Sequence, residues 1–362
     1  MPDTPTYIPT FRSRQQENIV LSEFNFGEFI YPMIEIIKPY DRKRPPEKQK
    51  PFQTIYTELI NSITANRVFV DLPLSLTRKG SMKQEVLSFF LSVIRNLESR
   101  TNRLNELAEF HEKVIPVLSS YLTITGQADS LTQQKALLDD AYSTVAFRTH
   151  YTKIMDDWDE IIEVSNDGDY LIVDFDTLAP YPSPVVKKLR EKWRTYAKGD
   201  VIILRSSINM DITNVGLDHD DIVFEVDNGL LDMYKGSLDA QAFGDYAGIK
   251  KDDLTTGGTI SPGFLWYDPT ENQFTGFKGN IKDLGEFEST IIPALIDSQA
   301  THNMQASELP YLEGNQGWEI IQSISNGIES GKSQAKFKKI AMLHYLYCLK
   351  VRIEAGKFDQ TE

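Results

Sequence analysis

Eight short apolar and β-branched runs, separated by segments with helical periodicity, predict an α/β protein built as a TIM-type (β/α)8 barrel. The first run begins at residue 7 and the eighth at residue 241, so the runs recur about every 33 residues. Strands that alternate with helices pair in parallel, and eight such units over roughly 250 residues suit a closed barrel. An open doubly wound sheet is the alternative, but its glycine-rich G-x-G-x-x-G turn is absent from the sequence.

The predicted strands and helices follow from two different spacings of apolar residues. Strands are read from short runs rich in Val, Ile, Phe and Tyr, and helices from apolar residues three and four positions apart. The strands are predicted at 7–11, 29–37, 67–71, 113–119, 144–149, 169–175, 200–205 and 241–246. The helical segments between them read SRQQENIVLSEF, FQTIYTELINSIT, MKQEVLSFFLSVIRNLES, LTQQKALLDDAY, YTKIMDDWDEIIE and SPVVKKLREKWRTYA.

Two regions add to this regular pattern. Residues 98–111 form an extra helical stretch before the fourth strand. Residues 216–238 contain the sequence DIVFEVDN, which is compatible with a strand. We interpret it as part of the connection between the seventh and eighth strands.

The C-terminal part of the chain follows a different pattern. Residues 263–279 contain two aromatic-rich runs around a turn with Asp268 and Asn272, which predicts a β-hairpin. Three helical stretches follow, LGEFESTIIPALIDSQA, QGWEIIQSIS and KFKKIAMLHYLYCLKVRI, and the last is apolar almost all round. We therefore predict a barrel over 1–249 and an appendage of hairpin and helices over 250–362 that packs on it.

Composition restricts the class of protein. The 362 residues carry a net charge of −14 and one cysteine, which excludes a disulfide framework and a cysteine-rich zinc site. Cys348 lies in an apolar helix and is expected to be an inert core residue. No apolar run is long enough for a membrane span, and the N-terminus lacks a signal sequence, so a cytoplasmic protein without a membrane partner is expected.

Polar residues at the C-terminal ends of the predicted strands are the best candidates for a site, because barrel enzymes place their chemistry there. Seven of the eight strands end in a charged residue that a period of two can turn inward. The candidates are Arg12, Glu35, Asp71, Arg148, His150, Asp174, Asp176, Arg205, Asp245 and Tyr246. Either they form a structural ion-pair network that closes the barrel mouth, or they bind a ligand.

In the ligand interpretation, we assign two kinds of role. Arginines clamp carboxylate or phosphate groups, so Arg12, Arg148 and Arg205 would hold the anion. Glu35, Asp71 and Asp245 would orient those groups, and these residues together with Tyr246 are assigned to ligand binding. Asp174, Asp176 and His150 are assigned to acid–base catalysis. The D-x-D pair of Asp174 and Asp176 also suits Mg²⁺, although no metal is assigned. The sequence contains no H-E-x-x-H, G-x-S-x-G or G-x-x-x-x-G-K-[ST] motif.

Two loops that follow strands are basic. The loop after the second strand carries Lys38, Arg42, Lys43, Arg44, Lys48 and Lys50, and the loop after the third carries Arg78 and Lys79. Both loops are expected at the rim of the C-terminal face, where they would attract an anionic small molecule or nucleotide. The alternative is that these residues only solvate mobile loops.

Three segments of the chain resemble a known family. The opening Y-I-P-T-F-R-S-R-Q-Q-E, the later Y-P-M-I-E-I and the F-G-D-Y-A at 243–247 are similar to the "beta protein" family of phages and bacteria. The matching residues are Arg12, Glu17, Glu35, Gly244, Asp245 and Tyr246. The resemblance implies a barrel-like fold, a setting in the cytoplasm of a bacterium or an infected host, and an association with phage–host conflict. It implies no reaction.

Two functional hypotheses follow from these patterns. In the first, the barrel mouth binds, and in an enzymatic version hydrolyses, an anionic ligand that contains phosphate. In the second, the chain is a non-catalytic interaction component of phage defence or counter-defence that engages a protein partner, or a second copy, through the C-terminal appendage. The aromatic residues Phe264, Trp266, Tyr267 and Phe277 would then form an exposed contact surface, although they equally suit a core.

Overall fold

The computed structural model describes residues 4–39, 48–74, 84–138, 140–181, 183–251 and 261–358. The strands of this part of the chain are β1 (Tyr7–Arg12), β2 (Asn25–Gly27), β3 (Met33–Glu35), β4 (Thr64–Ala65), β5 (Val68–Asp71), β6 (Val114–Leu118), β7 (Ala146–His150), β8 (Tyr170–Asp174), β9 (Val201–Leu204), β10 (Asp221–Ile222), β11 (Ala242–Asp245), β12 (Gly263–Asp268) and β13 (Gln273–Lys278).

The helices of the same residues are α1 (Gln15–Glu23), α2 (Phe52–Ser62), α3 (Gln84–Arg95), α4 (Leu97–Asn105), α5 (Leu122–Thr125), α6 (Ser130–Leu138), α7 (Ile154–Val164), α8 (Pro184–Trp193), α9 (Leu230–Met233), α10 (Ile292–Ile296), α11 (Gln299–Ala306), α12 (Gln316–Ser325) and α13 (Gln334–Glu354). A 3₁₀ turn over Ala108–Phe110 follows α4, and a π-helical turn over Phe287–Ile291 leads into α10.

Eight parallel strands close into a barrel in the order β1-β11-β9-β8-β7-β6-β5-β3. Each of them overlaps one of the eight predicted runs, and only β1 and β7 extend one residue beyond theirs, so the predicted barrel is confirmed. The open-sheet alternative is excluded because β1 pairs with β11 on one side and with β3 on the other. The extra helical stretch before the fourth strand is also present, as α4 and the 3₁₀ turn.

The strands are buried on both faces, because one face lines the barrel interior and the other meets the helices. The interior is a separate apolar cluster that includes Ile8, Met33, Phe69, Ile115, Ile172, Ile202 and Ala242. Alternate residues such as Tyr7, Ile34, Val70 and Phe243 belong to the larger cluster under the helices. This alternation decides which strand-end residues reach the barrel mouth.

The connection between β9 and β11 contains the sequence DIVFEVDN, which is compatible with a strand. Its first two residues form β10, which pairs antiparallel with β13 of the hairpin. The stretch therefore lies in the connection, as we interpreted it, and also adds a short strand to the hairpin sheet.

The predicted hairpin is formed by β12 and β13, which pair along their whole length. Its four aromatic residues Phe264, Trp266, Tyr267 and Phe277 are each at most 5% exposed. They pack in a core with α13, for example through the ring of Phe264 against Phe337. The core interpretation of these residues is confirmed, and the interpretation as an exposed contact surface is wrong. Among the described residues, no helix is long and apolar enough to cross a membrane.

The appendage contacts the barrel through polar groups on α13. The ammonium of Lys338 lies 2.8 Å from the carboxylate of Glu17 on α1, which is buried. The hydroxyl of Tyr345 donates to Asp245 at the end of β11. The boundary predicted between residues 249 and 250 stays a prediction. The two contacts show that α13 packs on residues from both the start and the end of the predicted barrel segment.

A buried histidine in the appendage gives a first testable prediction. His344 is fully buried between Asn315 and the carbonyl of Tyr267, and burial lowers its pKa to about 3. An unfolded histidine has a pKa near ~6.5, so below that pH protons bind the unfolded chain preferentially and stability falls. At pH 5 we expect this single group to cost roughly 2 kcal/mol of unfolding free energy.

The measurement is the urea unfolding free energy between pH 7.5 and pH 5, compared with a His344→Gln variant that cannot titrate. The variant is expected to be less stable at neutral pH and to lose less stability on acidification than the original chain. Equal losses in the two proteins would show that His344 does not resist protonation in the folded state.

Candidate functional site

Three charged residues lie side by side on neighbouring strands at the mouth of the barrel. The register pairs Arg12 with Glu35 and Glu35 with Asp71. All three follow inward-facing residues by two positions, so their side chains point into the mouth, as predicted. The Nε of Arg12 donates to Glu35 Oε2 at 3.0 Å.

Arg148 on β7 lies at the centre of this layer. Its Nη1 donates to Glu35 Oε1 at 2.9 Å and to Asp71 Oδ2 at 2.6 Å. Its Nε and Nη2 donate to Asp174 Oδ2 at 3.2 and 2.5 Å, and Nη2 also contacts the hydroxyl of Tyr246 at 3.3 Å. A guanidinium has five N–H donors, so these contacts occupy all of them.

A second arginine, Arg100, reaches the layer from α4 outside the barrel. Its Nη2 donates to Asp71 Oδ1 at 2.8 Å and to the carbonyl of Val117 at 2.7 Å, and its Nη1 donates to Gln134. The sequence reasoning missed this residue because α4 was treated only as an extra helix. The signal was available, since Arg100 lies on the same helix face as the buried residues Leu97 and Leu104.

The layer is ionised and balanced. Burial alone would raise the pKa of Glu35, but the positive charges of Arg148 and Arg12 outweigh it and hold that pKa well below its usual range. For Asp174, burial is likewise outweighed by Arg148 and Lys251, so its pKa is lowered. Three arginines therefore face three carboxylates. This ion-pair network contains Arg12 and Arg148 as predicted, with Arg100 in place of Arg205 and without Asp245.

Above this layer lies a rim with free hydrogen-bonding capacity, formed by His150, Asp176 and Lys251. Nδ1 of His150 contacts the hydroxyl of Thr152 at 2.7 Å. The ammonium of Lys251 lies 3.0 Å from Asp176 Oδ1, and the side chain of Lys251 is only 10% exposed while that of Asp176 is 49% exposed. We call these three residues the rim cluster.

The rim cluster combines a neutral base with a cation. Burial lowers the pKa of His150, and Asp174 only partly opposes this, so the imidazole is neutral at pH 7. For Lys251, burial would lower the pKa, but Tyr246, Asp174 and Glu35 raise it well above its usual range. The lysine therefore stays charged. Sequence reasoning missed Lys251 because it lies in the loop beyond the eighth strand.

Asp245 does not lie in the mouth, and its predicted inward position is wrong. Gly244 occupies the inward position of β11, so Asp245 faces the helix layer and accepts hydrogen bonds from the hydroxyls of Tyr7, at 2.6 Å, and Tyr345. It also accepts from the backbone N–H of Ala247 at 2.9 Å. Burial raises its pKa. Asp245 thus fixes the turn that carries Tyr246 into the mouth.

The predicted inward position of Arg205 is wrong for the same reason. Leu204 is the inward residue of β9, so Arg205 faces outward. Its Nη1 donates to the carbonyl of Asp227 at 2.6 Å and lies 3.5 Å from the carboxylate of that residue. Its predicted pairing with the carboxylates of the mouth does not occur.

The Asp174–Asp176 pair does not suit a divalent cation. Asp174 Oδ2 is held by Arg148 and its Oδ1 accepts from the backbone N–H of Asp176 at 2.8 Å. Within the described ranges, no group of three or more His, Cys, Asp and Glu side chains is arranged to hold a metal ion. Both carboxylate oxygens of Asp174 therefore already have partners within the protein.

The basic loops are only partly described. Lys50 pairs with Glu58 on α2, and the carbonyl of Lys38 accepts from the hydroxyl of Tyr56. The other residues predicted at this rim are Lys48, which is exposed, and Arg42, Lys43, Arg44, Arg78 and Lys79, which lie outside the described residues.

Comparison with known families gives one match. The model described as Beta protein matches residues 7–349, which span the barrel and most of the appendage. The comparison with curated proteins found no match.

Proposed function

The chain belongs to the Beta protein family, and from this premise we propose that its barrel mouth binds a small anionic ligand that contains phosphate. The observation that carries the proposal is the state of Lys251. Its side chain is nearly buried at the mouth and charged, and one of its three N–H donors is used by the half-exposed Asp176. A phosphate oxygen is the natural partner for such an ammonium.

The charged layer beneath the rim cluster supports this assignment, because its groups are already paired with one another and cannot bind a ligand. Arg148 has no donor left for a ligand, and Glu35 and Asp71 are fully buried. These residues, with Asp174, Tyr246 and Arg12, act as a rigid charged floor. We therefore move the ligand contact from the arginines of the floor to Lys251 above it, and assign His150 to the chemical step.

If the bound phosphate ester is hydrolysed, His150 is the residue that would accept the proton of the attacking water. Its low pKa keeps it unprotonated at neutral pH, and Lys251 would balance the charge that develops on the phosphoryl oxygens. The ion pair between Lys251 and Asp176 would open, so that the ammonium of Lys251 could bind the ligand. We extend the proposal to phage–host conflict in the bacterial cytoplasm because of the family resemblance.

The alternative function, a non-catalytic protein that docks through the appendage, has weaker support. Its proposed contact surface consisted of Phe264, Trp266, Tyr267 and Phe277, and all four are buried in the chain itself. Any partner or second copy would have to use other residues of the appendage.

The test is calorimetric titration with inorganic phosphate and pyrophosphate, together with mass spectrometry of any ligand that copurifies. Lys251→Met should weaken binding at least ~10-fold, because a charge-assisted hydrogen bond contributes about 1.5–3 kcal/mol. The matched control is Lys250→Met, since the Lys250 ammonium donates instead to the carbonyls of Met210 and Ile212. Equal affinities of the two variants would refute the proposal.

A separate assay tests hydrolysis by measuring the release of phosphate from pyrophosphate. His150→Gln should retain phosphate binding and lose phosphate release, and the rate of the original chain should fall as the pH drops and His150 becomes protonated. Unchanged release by this variant would remove His150 from the mechanism without affecting the binding proposal.

A further inference from the structure

A second group of polar atoms without partners lies outside the barrel mouth, next to the end of β9. We propose that Arg205 and Asn228 form a binding site for a small oxyanion, a carboxylate or a phosphate, that is separate from the rim cluster. The site uses the outward-facing arginine and the connection between β9 and β11.

Arg205 is a buried arginine whose guanidinium is only partly used. It is 4% exposed, and its Nη1 side meets the carbonyl and carboxylate of Asp227. Its Nε is buried, and no acceptor among the described residues lies within hydrogen-bonding distance of it. The Nε–Nη2 edge is the pair of parallel donors that binds two oxygens of a carboxylate or phosphate.

The neighbouring Asn228 has the same deficit. It is also 4% exposed, and both its Oδ1 and its Nδ2 are buried without a partner among the described residues. The two residues are adjacent, because the carbonyl that Arg205 binds belongs to the peptide that leads into Asn228. An unsatisfied buried polar atom costs about 1–3 kcal/mol, so an oxyanion that accepts from Arg205 Nε and Asn228 Nδ2 would recover part of this cost.

The surroundings hold the carboxylate of Asp227 in place beside Arg205. The N–H of Gly229 donates to Asp227 Oδ1 at 2.7 Å. Tyr181, which is 52% exposed, has its hydroxyl hydrogen-bonded to the same carboxylate. Burial lowers the pKa of Arg205, and Asp227 opposes this only in part, so a second anion at Nε would further stabilise the charged guanidinium.

Comparison with Arg148 shows why this arginine, and not the one in the mouth, suits a ligand. All five donors of Arg148 have acceptors within the protein, whereas the buried Nε of Arg205 has none among the described residues. Arg148 therefore has a structural role, and Arg205 keeps a donor for a ligand.

The experiment follows the Nε–Hε NMR signal of Arg205 in the full chain during separate titrations with acetate and inorganic phosphate. The signal is assigned by its loss in Arg205→Lys. A saturable shift with one anion is expected, and the effective anion tells whether the site prefers carboxylate or phosphate. Asn228→Asp, nearly isosteric but negative, should weaken the effect at least ~10-fold while retaining the signal. Lys251→Met should leave it unchanged.

Three results would overturn the inference. In the first, the Nε–Hε signal does not shift with either anion. In the second, Asn228→Asp binds the anion as well as the original chain does. In the third, Lys251→Met abolishes the shift. The last result would mean that the signal reports the barrel mouth.

Discussion

Replacement of Arg148 by methionine is expected to cost the folded protein roughly 3–5 kcal/mol or to prevent folding. The substitution leaves Glu35, Asp71 and Asp174 buried at the mouth without the cation they share. Arg12 and Arg100 each still contact one carboxylate, but no described cation contacts Asp174 within salt-bridge distance in place of Arg148. The measurement is the unfolding free energy from urea or guanidinium denaturation at pH 7.

A pH series distinguishes this electrostatic cause from lost packing. Without Arg148, burial would raise the carboxylate pKa values, so acidification would neutralise them in the folded state and the deficit of the variant should shrink towards pH 5. Arg103→Met, which removes a half-buried pair with Glu106 and a contact with the ring of Phe52, is the control and should cost less, roughly 1 kcal/mol. A deficit that stays constant with pH would contradict the role of the charged layer.

The second large effect is expected from Asp245→Ala, which should destabilise the protein by roughly 2–4 kcal/mol. The change leaves the buried hydroxyls of Tyr7 and Tyr345 and the N–H of Ala247 without their acceptor. It also loosens the turn in which Ala247 and Gly248 both adopt positive φ, and where a side chain on Gly248 would overlap Tyr345. Thermal and urea unfolding of the full chain measure the loss.

Two further variants make this prediction specific. Asp245→Asn retains an acceptor and should lose less stability than Asp245→Ala, whereas Tyr345→Phe should lose roughly 1 kcal/mol by removing one of the hydrogen bonds. If Tyr345→Phe and Asp245→Ala lose the same amount, the carboxylate contributes nothing beyond its contact with the appendage. If neither variant loses stability, the connection between β11 and α13 is not a structural one.

The barrel itself could be predicted because both the short apolar strand runs and the helical spacing of apolar residues between them are clear in the sequence. Runs such as VFVD of β5 and VIIL of β9 are too short and too β-branched for helices, and the segments between them repeat apolar residues at helical spacing. Arg12, Glu35, Asp71, Arg148 and Asp174 were placed correctly because polar residues interrupt otherwise apolar strand ends. Burial of a charge requires a partner, and each of these residues has one.

The outward positions of Arg205 and Asp245 could not be predicted, for a physical reason. The strands before them are apolar on both faces, so their pattern does not show which face is inside, and an error of one residue inverts the assignment. Arg100 and Lys251 were missed because they enter the site from a helix and a loop. Only the three-dimensional contacts show that these cations complete the charge balance.

The closure of β1 between β3 and β11 has a consequence for biosynthesis. Tyr7 lies 238 residues before its partner Asp245, and Glu17 lies 321 residues before Lys338. At ~5–20 residues per second, a ribosome needs roughly 10–50 s to deliver the strand that covers the open edge of β1. During that interval the nascent chain presents an unpaired parallel edge, which is a template for wrong association. The yield of folded protein is therefore expected to depend on protection of this edge until β11 emerges.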